Sequence, residues 1–369
     1  MKTKLVTLVG TRPEVIKLSQ IINQCDNFFD HILIHTGQNY DYELNEIFFK
    51  DLKIRKPDYF LDIKSNSLGE SIGNIISKSY EILKKINPDC FLVLGDTNSC
   101  LSTISAKRLK IPIFHMEAGN RCFDQNVPEE INRKIVDHIS DINLTYTENA
   151  RKYLLSEGIR KDFIFNVGSP MKEILESNQN SIQSSKILNA LNLEKGNYIV
   201  VSLHREENVD NKENFINILN SLEEITIRLD KKIIFSTHPR TKNRLNELSM
   251  EINTKIEFIK PLGFFDYISL QLNSFVVLSD SGTLAEETAI LKFPAVSLRT
   301  STERPEAIDS GSLILGSLDE KNILNSIDLA LNTKSNKEPD DYNKTNCSDK
   351  VVKIIQSYTS IVNREVWKR

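Results

Sequence analysis

The seventeen residues from Glu117 to Arg133 hold Glu117, Arg121, Glu129, Glu130 and Arg133. They fall in two adjoining stretches, His115-Met-Glu-Ala-Gly-Asn-Arg121 and Asn126-Val-Pro-Glu-Glu-Ile-Asn-Arg133. Paired carboxylates that converge on a small ligand suit removal and return of a proton. Glu117 ends a short apolar run, 111–116, that reads as a buried parallel strand. Pro128 suits the first turn of a helix, where the dipole favours Glu129 and Glu130. Glu129, Arg133 and Asp137 are spaced by four and share one helix face. A plainer reading is ion pairing on a solvated helix, which is common among exposed charges. Against it stands the rest of the chain, where charged residues recur at the ends of predicted strands.

Those strands are apolar runs that alternate with helix-compatible sequence. A first set covers 5–9, 32–35, 90–94 and 111–116; a second covers 198–203, 233–237, 256–259, 275–278 and 295–298. The alternation predicts an α/β protein with parallel sheets covered on both faces, in two Rossmann-like domains. A polar, small-residue run at 176–185 marks the connection. The expected division is 1–172 for the first domain and 190–347 for the second. The stretch 348–369 is expected to be an amphipathic helix that returns to pack on the first domain.

Bulk composition excludes several classes. Lys and Arg number 47 against 50 Asp and Glu, so no basic surface points to nucleic acid or anionic lipid. No apolar run approaches the ~18 residues that span a membrane, and the apolar part of the N-terminus is too short for a signal peptide. The five cysteines form no C-x-x-C pair, which fits a reduced, cytoplasmic setting with buried, inert thiols. The histidines and cysteines show no zinc-like spacing, so no metal is expected.

Six predicted strand ends carry polar residues: Gly10-Thr-Arg-Pro13, Gly95-Asp-Thr-Asn98, Glu117, His204-Arg-Glu-Glu-Asn208, His238-Pro-Arg240 and Asp280-Ser-Gly-Thr283. Ligands of open α/β sheets bind outside the carboxyl ends of the strands. Six such ends in both halves point to one site in a cleft between two domains, although Asp96, Asn98, Ser281 and Gly282 also suit ordinary turns. The stretch Asp280–Glu287 reads as a loop entering a helix, with backbone N–H groups at Ser281, Gly282 and Thr283 available to cradle phosphate. Glu287, one turn in, is placed to accept from a ribose diol. Arg12, Lys17 and Arg304 add positive charge. There is no G-x-G-x-x-G and no G-x-x-x-x-G-K-[ST], so phosphate charge must be met by Arg, His and helix N-termini.

The motifs Gly10-Thr-Arg-Pro-Glu-Val-Ile-Lys17, Gly95-Asp-Thr97, His115-Met-Glu-Ala-Gly119, Pro128-Glu-Glu130, His204-Arg205, Asp280-Ser-Gly282 and Thr302-Glu-Arg-Pro-Glu306 recur in order over nearly the whole chain. Together they resemble the non-hydrolysing UDP-N-acetylglucosamine 2-epimerases. The resemblance implies a glycosyltransferase-B-like fold, a UDP-sugar substrate, no redox cofactor and a homodimer. Thr36-Gly-Gln-Asn-Tyr-Asp41, Asn120-Arg-Cys-Phe-Asp-Gln-Asn-Val-Pro128 and Gly263-Phe-Phe-Asp-Tyr267 look like the UDP-N-acetyl-L-fucosamine synthase branch of capsule and O-antigen pathways. That branch inverts C2 of UDP-2-acetamido-2,6-dideoxy-L-talose; epimerisation of UDP-N-acetylglucosamine is the alternative, and a retaining glycosyltransferase is a more distant one.

The resemblance also implies roles. No carbonyl neighbours C2 to acidify its proton, so the family eliminates UDP to a 2-acetamidoglycal and adds it back. Asp96, Glu117 and Glu129 are implied as the acid/base carboxylates, with Arg133 orienting Glu129. His204 and Arg12 are implied to contact the departing diphosphate. Ser281 and Gly282 fit the phosphate cradle and Glu287 the ribose; Lys17, Arg121 and Arg304 support the site. His238 reads equally as a site residue or an ordinary strand-end histidine.

Overall fold

A computed structural model describes residues 2–37, 42–65, 67–237, 239–248, 253–316, 318–333 and 338–369. Two of the sequence expectations, His238 and residues 38–41, lie outside the described residues.

The first sheet holds β1 (Lys4–Val9), β2 (Asp30–His35), β3 (Tyr59–Phe60), β4 (Cys90–Leu94), β5 (Ile113–Met116), β6 (Ile142–Thr145) and β7 (Ile164–Asn166). Its order is β3-β2-β1-β4-β5-β6-β7, all parallel. The second holds β8 (Tyr198–Leu203), β9 (Lys232–Thr237), β10 (Ile256–Ile259), β11 (Val276–Ser279), β12 (Ala295–Ser297) and β13 (Ile314–Leu315), in the order β10-β9-β8-β11-β12-β13, again parallel. Every predicted apolar run is a strand. Most are buried on both faces and read as continuous apolar stretches; the edge strand β10, with Glu257 in its middle, is only partly buried.

Each sheet reverses its strand order once, between β1 and β4 and between β8 and β11. A reversal opens a crevice at the carboxyl ends of the strands, where α/β proteins bind ligands. Register then places the residues that follow. Leu94 of β4 pairs with Met116 of β5, so Gly95 and Glu117 emerge side by side. Ser202 of β8 pairs with Ser279 of β11, which brings His204 beside Asp280.

The chain divides into two units, Met1–Ser177 with Asp340–Arg369, and Asn178–Pro339. The return to the first unit begins earlier than the boundary at 348 expected from sequence. Asp341 fixes it there: its carboxylate accepts from the Glu148 backbone N–H at 2.8 Å and from Asn166 Nδ2 at 3.0 Å, and its carbonyl accepts from Ser169 N–H at 3.1 Å. The helix Cys347–Glu365 then packs on the helix Arg12–Phe28 within that unit. Each sheet packs its own apolar core, around Val6, Ile34, Phe91 and Ile113 in the first unit and Ile199, Phe235, Leu278 and Val296 in the second.

Candidate active site

In the first unit the helix Arg12–Phe28 starts directly after β1, with Pro13 in its first turn, where the missing N–H costs nothing. Glu14 on the same turn is fully buried. Its carboxylate accepts from Gly10 N–H at 2.6 Å, from Thr11 Oγ1 and Ser99 Oγ at 3.0 Å, and from Thr97 Oγ1. Burial pushes the Glu14 carboxyl up; the bonds from Thr97, Gly10, Ser99 and Thr11 pull it down without cancelling the rise. One side chain thus ties the turn that leads to Arg12 to the turn after Asp96. The Arg12 guanidinium lies 5.8 Å from the centre of the Phe48 ring.

One turn further along, Lys17 is buried and its Nζ donates to Glu117 Oε2 at 2.5 Å. Glu117 itself has φ +62°, the left-handed region that side chains other than Gly rarely occupy. Such a residue costs about 1–3 kcal/mol, and the conformation persists only where the surroundings impose it. Here it turns the carboxylate out of the β5 direction and onto the Lys17 ammonium. The same tight turn needs Gly119, at φ +83°, where a Cβ would lie 2.4 Å from the Ala150 carbonyl oxygen. We expect Gly119→Ala to cost roughly 1–3 kcal/mol from backbone strain alone and more from the clash. A chemical-denaturation midpoint checks this, and a parental midpoint would contradict it.

Asp96, after β4, is held by Arg133, whose Nε and Nη2 donate to Asp96 Oδ2 at 3.0 and 2.5 Å. Arg133 Nη1 donates to Glu130 Oε2 at 2.6 Å. The guanidinium therefore joins Asp96 to Glu130, two partnerships that the sequence did not indicate. Glu129 sits half-buried on the first turn of the helix Pro128–Ile139, while Glu130 is fully buried. Glu130 also accepts from the backbone N–H groups of Cys122 and Phe123 at 3.1 and 3.2 Å, so it clamps the segment that follows Arg121. Burial pushes the Glu130 carboxyl up, but the Cys122 N–H and the Arg133 charge outweigh it and hold it below its ordinary value. Cys122 departs from the expectation of buried thiols: it is partly exposed, with Sγ 3.3 Å from Glu130 Oε2, whereas the other four cysteines are buried.

Arg121 is also corrected. Its side chain has no exposure, and its donors reach Glu157 at 2.7 and 2.6 Å, Asp137 Oδ2 at 2.7 Å and the Asn120 carbonyl at 2.7 Å. With its guanidinium taken up inside the protein, Arg121 holds structure and is not presented to a ligand. Asp137, also with no side-chain exposure, accepts from Gly119 N–H at 3.2 Å and lies 2.9 Å from His115 Nδ1. The other ring nitrogen, His115 Nε2, is 2.7 Å from the Gly95 carbonyl; a carbonyl only accepts, so Nε2 carries the hydrogen.

The second unit organises a different set around Asp280. That buried carboxylate accepts from the backbone N–H groups of His204 and Arg205 and from Asn208 Nδ2, and its Oδ1 lies 3.0 Å from His204 Nδ1. Burial pushes Asp280 up, but His204 and these N–H donors outweigh it and hold it below its ordinary value. The Asp280 carboxylate therefore orients the exposed His204 ring through Nδ1. Arg205 Nε donates to the Asp280 carbonyl at 3.0 Å, and its Nη2 lies 3.6 Å from Glu303. Arg299 and Arg304 converge on the same Glu303, and Arg304 Nη1 also pairs with Glu286 at 2.9 Å.

Gly282 sits against this cluster: a Cβ there would lie 2.8 Å from Glu303 Oε1 and 3.9 Å from Arg205 Nη2. Glycine therefore lets the loop backbone and the arginines approach one anion together. The expected cradle is altered at Ser281, whose N–H donates to Ser279 Oγ at 3.1 Å. Glu287 is buried one turn into the helix Leu284–Leu291, and its Oε2 accepts from Gln271 Nε2 at 2.9 Å.

Glu14, His115, Asp137, Arg205 and Glu303 received no role from sequence, although all but Asp137 stand inside the motifs quoted above. All are ionisable side chains wholly or mostly buried, and spacing along the chain does not reveal that.

The match to known proteins is broad. The family model described as UDP-N-acetylglucosamine 2-epimerase matches residues 23–356. A solved structure of UDP-N-acetylglucosamine 2-epimerase from Rickettsia bellii superposes with a TM-score of 0.93 at 46% identity, covering 100% of both chains. The Methanocaldococcus jannaschii enzyme, solved with UDP-GlcNAc and UDP, gives 0.91 at 39% identity, covering 96% of this chain and 100% of that one. A Pseudomonas aeruginosa UDP-2,3-diacetamido-2,3-dideoxy-D-glucuronate 2-epimerase is 34% identical over 320 residues, 85% of this chain and 88% of that one. The two parallel-sheet units match the glycosyltransferase-B-like class of those structures.

Proposed function

This chain belongs to the UDP-N-acetylglucosamine 2-epimerase family, and from that premise we propose that it converts UDP-2-acetamido-2,6-dideoxy-L-talose to UDP-N-acetyl-L-fucosamine for capsule or O-antigen assembly. Membership makes it an isomerase that inverts C2 of a UDP-sugar. The observation that carries the chemistry is the pair of carboxylates on adjacent strand ends, Asp96 held by Arg133 and Glu117 held by Lys17. The bond from C1 to UDP breaks as C2 loses its proton, leaving a 2-acetamidoglycal and bound UDP. A proton then returns to the other face of C2, and UDP adds back at C1. Two faces require two acid/base groups, and Asp96, Glu117 and Glu129 supply the carboxylates.

UDP departs with its charge on the diphosphate, so the site must hold that charge. In this reading the second unit does so, through His204, Arg205, Gly282 and Arg304. Glu287 faces the ribose. Replacing His204 by Ala removes one donor. We expect UDP affinity to fall about tenfold, equivalent to ~1.4 kcal/mol, with turnover falling as well. Calorimetric titration with UDP checks this, and unchanged binding and turnover would refute the role.

The segment Asn120–Val127 supports the L-fucosamine branch. Its motif carries the resemblance to that branch, and Glu130 holds its Cys122 and Phe123 backbone N–H groups beside the helix that bears Glu129. A second reading, UDP-N-acetylglucosamine as substrate, is favoured by the names of the Rickettsia and Methanocaldococcus relatives. Incubation with each UDP-sugar separately, followed by chromatography and NMR of the products, decides between them. Conversion of the L-talo sugar is the expected result. Conversion of UDP-N-acetylglucosamine alone would keep the reaction and replace the substrate.

A further inference from the structure

We propose that Asp137 is a positioning residue that holds the turns bearing Asp96 and Glu117 in one fixed relation. This rests on the reading above, in which those two carboxylates act at C2. Besides the bond from Arg121, the hydrogen bonds of Asp137 and His115 land on backbone at the site. The carboxylate accepts from Gly119 N–H, two residues after Glu117. On its other side lies His115, whose Nε2 donates to the carbonyl of Gly95, the residue before Asp96. Gly95 N–H in turn donates to the Met116 carbonyl at 2.9 Å, immediately before Glu117. One buried side chain therefore reaches both turns, by a hydrogen bond from Gly119 N–H at one and by a 2.9 Å approach to the His115 ring, which bonds Gly95, at the other.

Glu117 needs such a hold. Its left-handed φ and that of Gly119 make the turn strained, and a strained turn keeps its shape only while its ends are fixed. Arg121 fixes Asp137 from the far side through Asp137 Oδ2, and Glu157 grips Arg121 with both carboxylate oxygens. A fully buried charged chain is a poor source of stability, since well-packed apolar residues often serve a fold as well or better. It is a good means of orientation, because supporting partners set the direction of the groups that do chemistry.

The test is a double-mutant cycle on the whole protein with Asp137→Asn and Glu117→Asp. Asn keeps the volume but turns an amide donor toward partners that the carboxylate accepted from. We expect Asp137→Asn to melt as one transition and to bind UDP within about twofold of the parent. Its KM should stay within about threefold while kcat falls by about tenfold or more. Glu117→Asp already displaces the carboxylate, so the loss in the double variant should be smaller than the product of the single losses. Parental kcat in Asp137→Asn would overturn the proposal, as would losses that multiply or a rise in KM that matches the fall in kcat. Should Asp137→Asn fail to fold, Arg121→Lys loosens Asp137 from its other side and takes its place in the cycle with the same criteria. A parent that exchanges no C2 proton on either UDP-sugar would remove the underlying reading and this proposal with it. An active parent with an unaffected variant removes the positioning role alone.

Discussion

Glu117→Gln keeps its fold and its affinity for UDP and loses exchange of the C2 proton with solvent by about 10²–10⁴-fold, the usual contribution of a positioned acid/base group. The amide has nearly the shape of the carboxylate, so the turn at φ +62° and the contact to Lys17 Nζ both retain a partner. What disappears is the basic oxygen. The effect falls on chemistry because His204, Arg205 and Arg304, assigned to the diphosphate, keep their partners Asp280 and Glu303 in the variant. Deuterium entry at C2 and calorimetric UDP binding, measured on one preparation, separate the two properties. Exchange near the parental rate would remove Glu117 from the chemistry.

Glu303→Ala is expected to cost about 3–5 kcal/mol of stability, the range for breaking a buried ion pair by removing one partner. Arg299 and Arg304 are almost fully buried beside Glu303, and Arg205 is mostly buried. Without Glu303 the guanidinium charges at Gly282 lose their common partner. UDP affinity should fall as well, because the arginines would no longer be preorganised. Denaturant melts with and without UDP measure both effects; a loss below about 1 kcal/mol would contradict the account, since that is the scale of exposed pairs.

Glu303 also predicts a pH dependence. Burial pushes its carboxyl up, but Arg299, Arg205 and Arg304 outweigh this and hold it well below its ordinary value of 4.5. A depressed carboxyl stabilises the fold at pH above its unfolded value and loses that contribution as pH falls through the folded one. The parent should therefore hold the Glu303 contribution in full above about pH 4.5 and lose it progressively as pH falls below that, and Glu303→Ala should lack that component.

What the sequence reveals depends on the kind of signal. Strands β1, β2, β4, β5, β8, β9, β11 and β12 are legible because burial makes most of each an apolar run, and β10 because three of its four residues are apolar. Strands β3 and β13 have two residues each, β7 three, and β6 carries Asn143 and Thr145, so none stands out from its surroundings. At the site, the strand-end position of Asp96, Glu117, His204 and Ser281 follows from motif and topology alone. Partnerships do not: Lys17 and Glu117 are 100 residues apart, and Arg205 and Asp280 are 75 apart. Arg121 illustrates the limit most clearly. Its motif suggested a ligand contact, whereas Glu157, 36 residues later, takes up its guanidinium in the interior. Glu14 and Glu303 were hidden for a related reason: acidic residues are presumed solvated, and only the folded chain shows the donors and arginines that make their burial tolerable.

A retaining glycosyltransferase shares this fold class but has no need of carboxylates on both faces of C2. Elimination and re-addition make one demand that transfer and direct inversion elsewhere on the sugar do not: the hydrogen at C2 must exchange with solvent. Proton NMR of the purified protein in heavy water, with UDP-2-acetamido-2,6-dideoxy-L-talose and separately with UDP-N-acetylglucosamine, observes it directly. The account predicts loss of the C2 proton signal as a new UDP-sugar accumulates, with deuterium at C2 of the product. A C2 signal that persists in full with both sugars, whether or not any product forms, would contradict it.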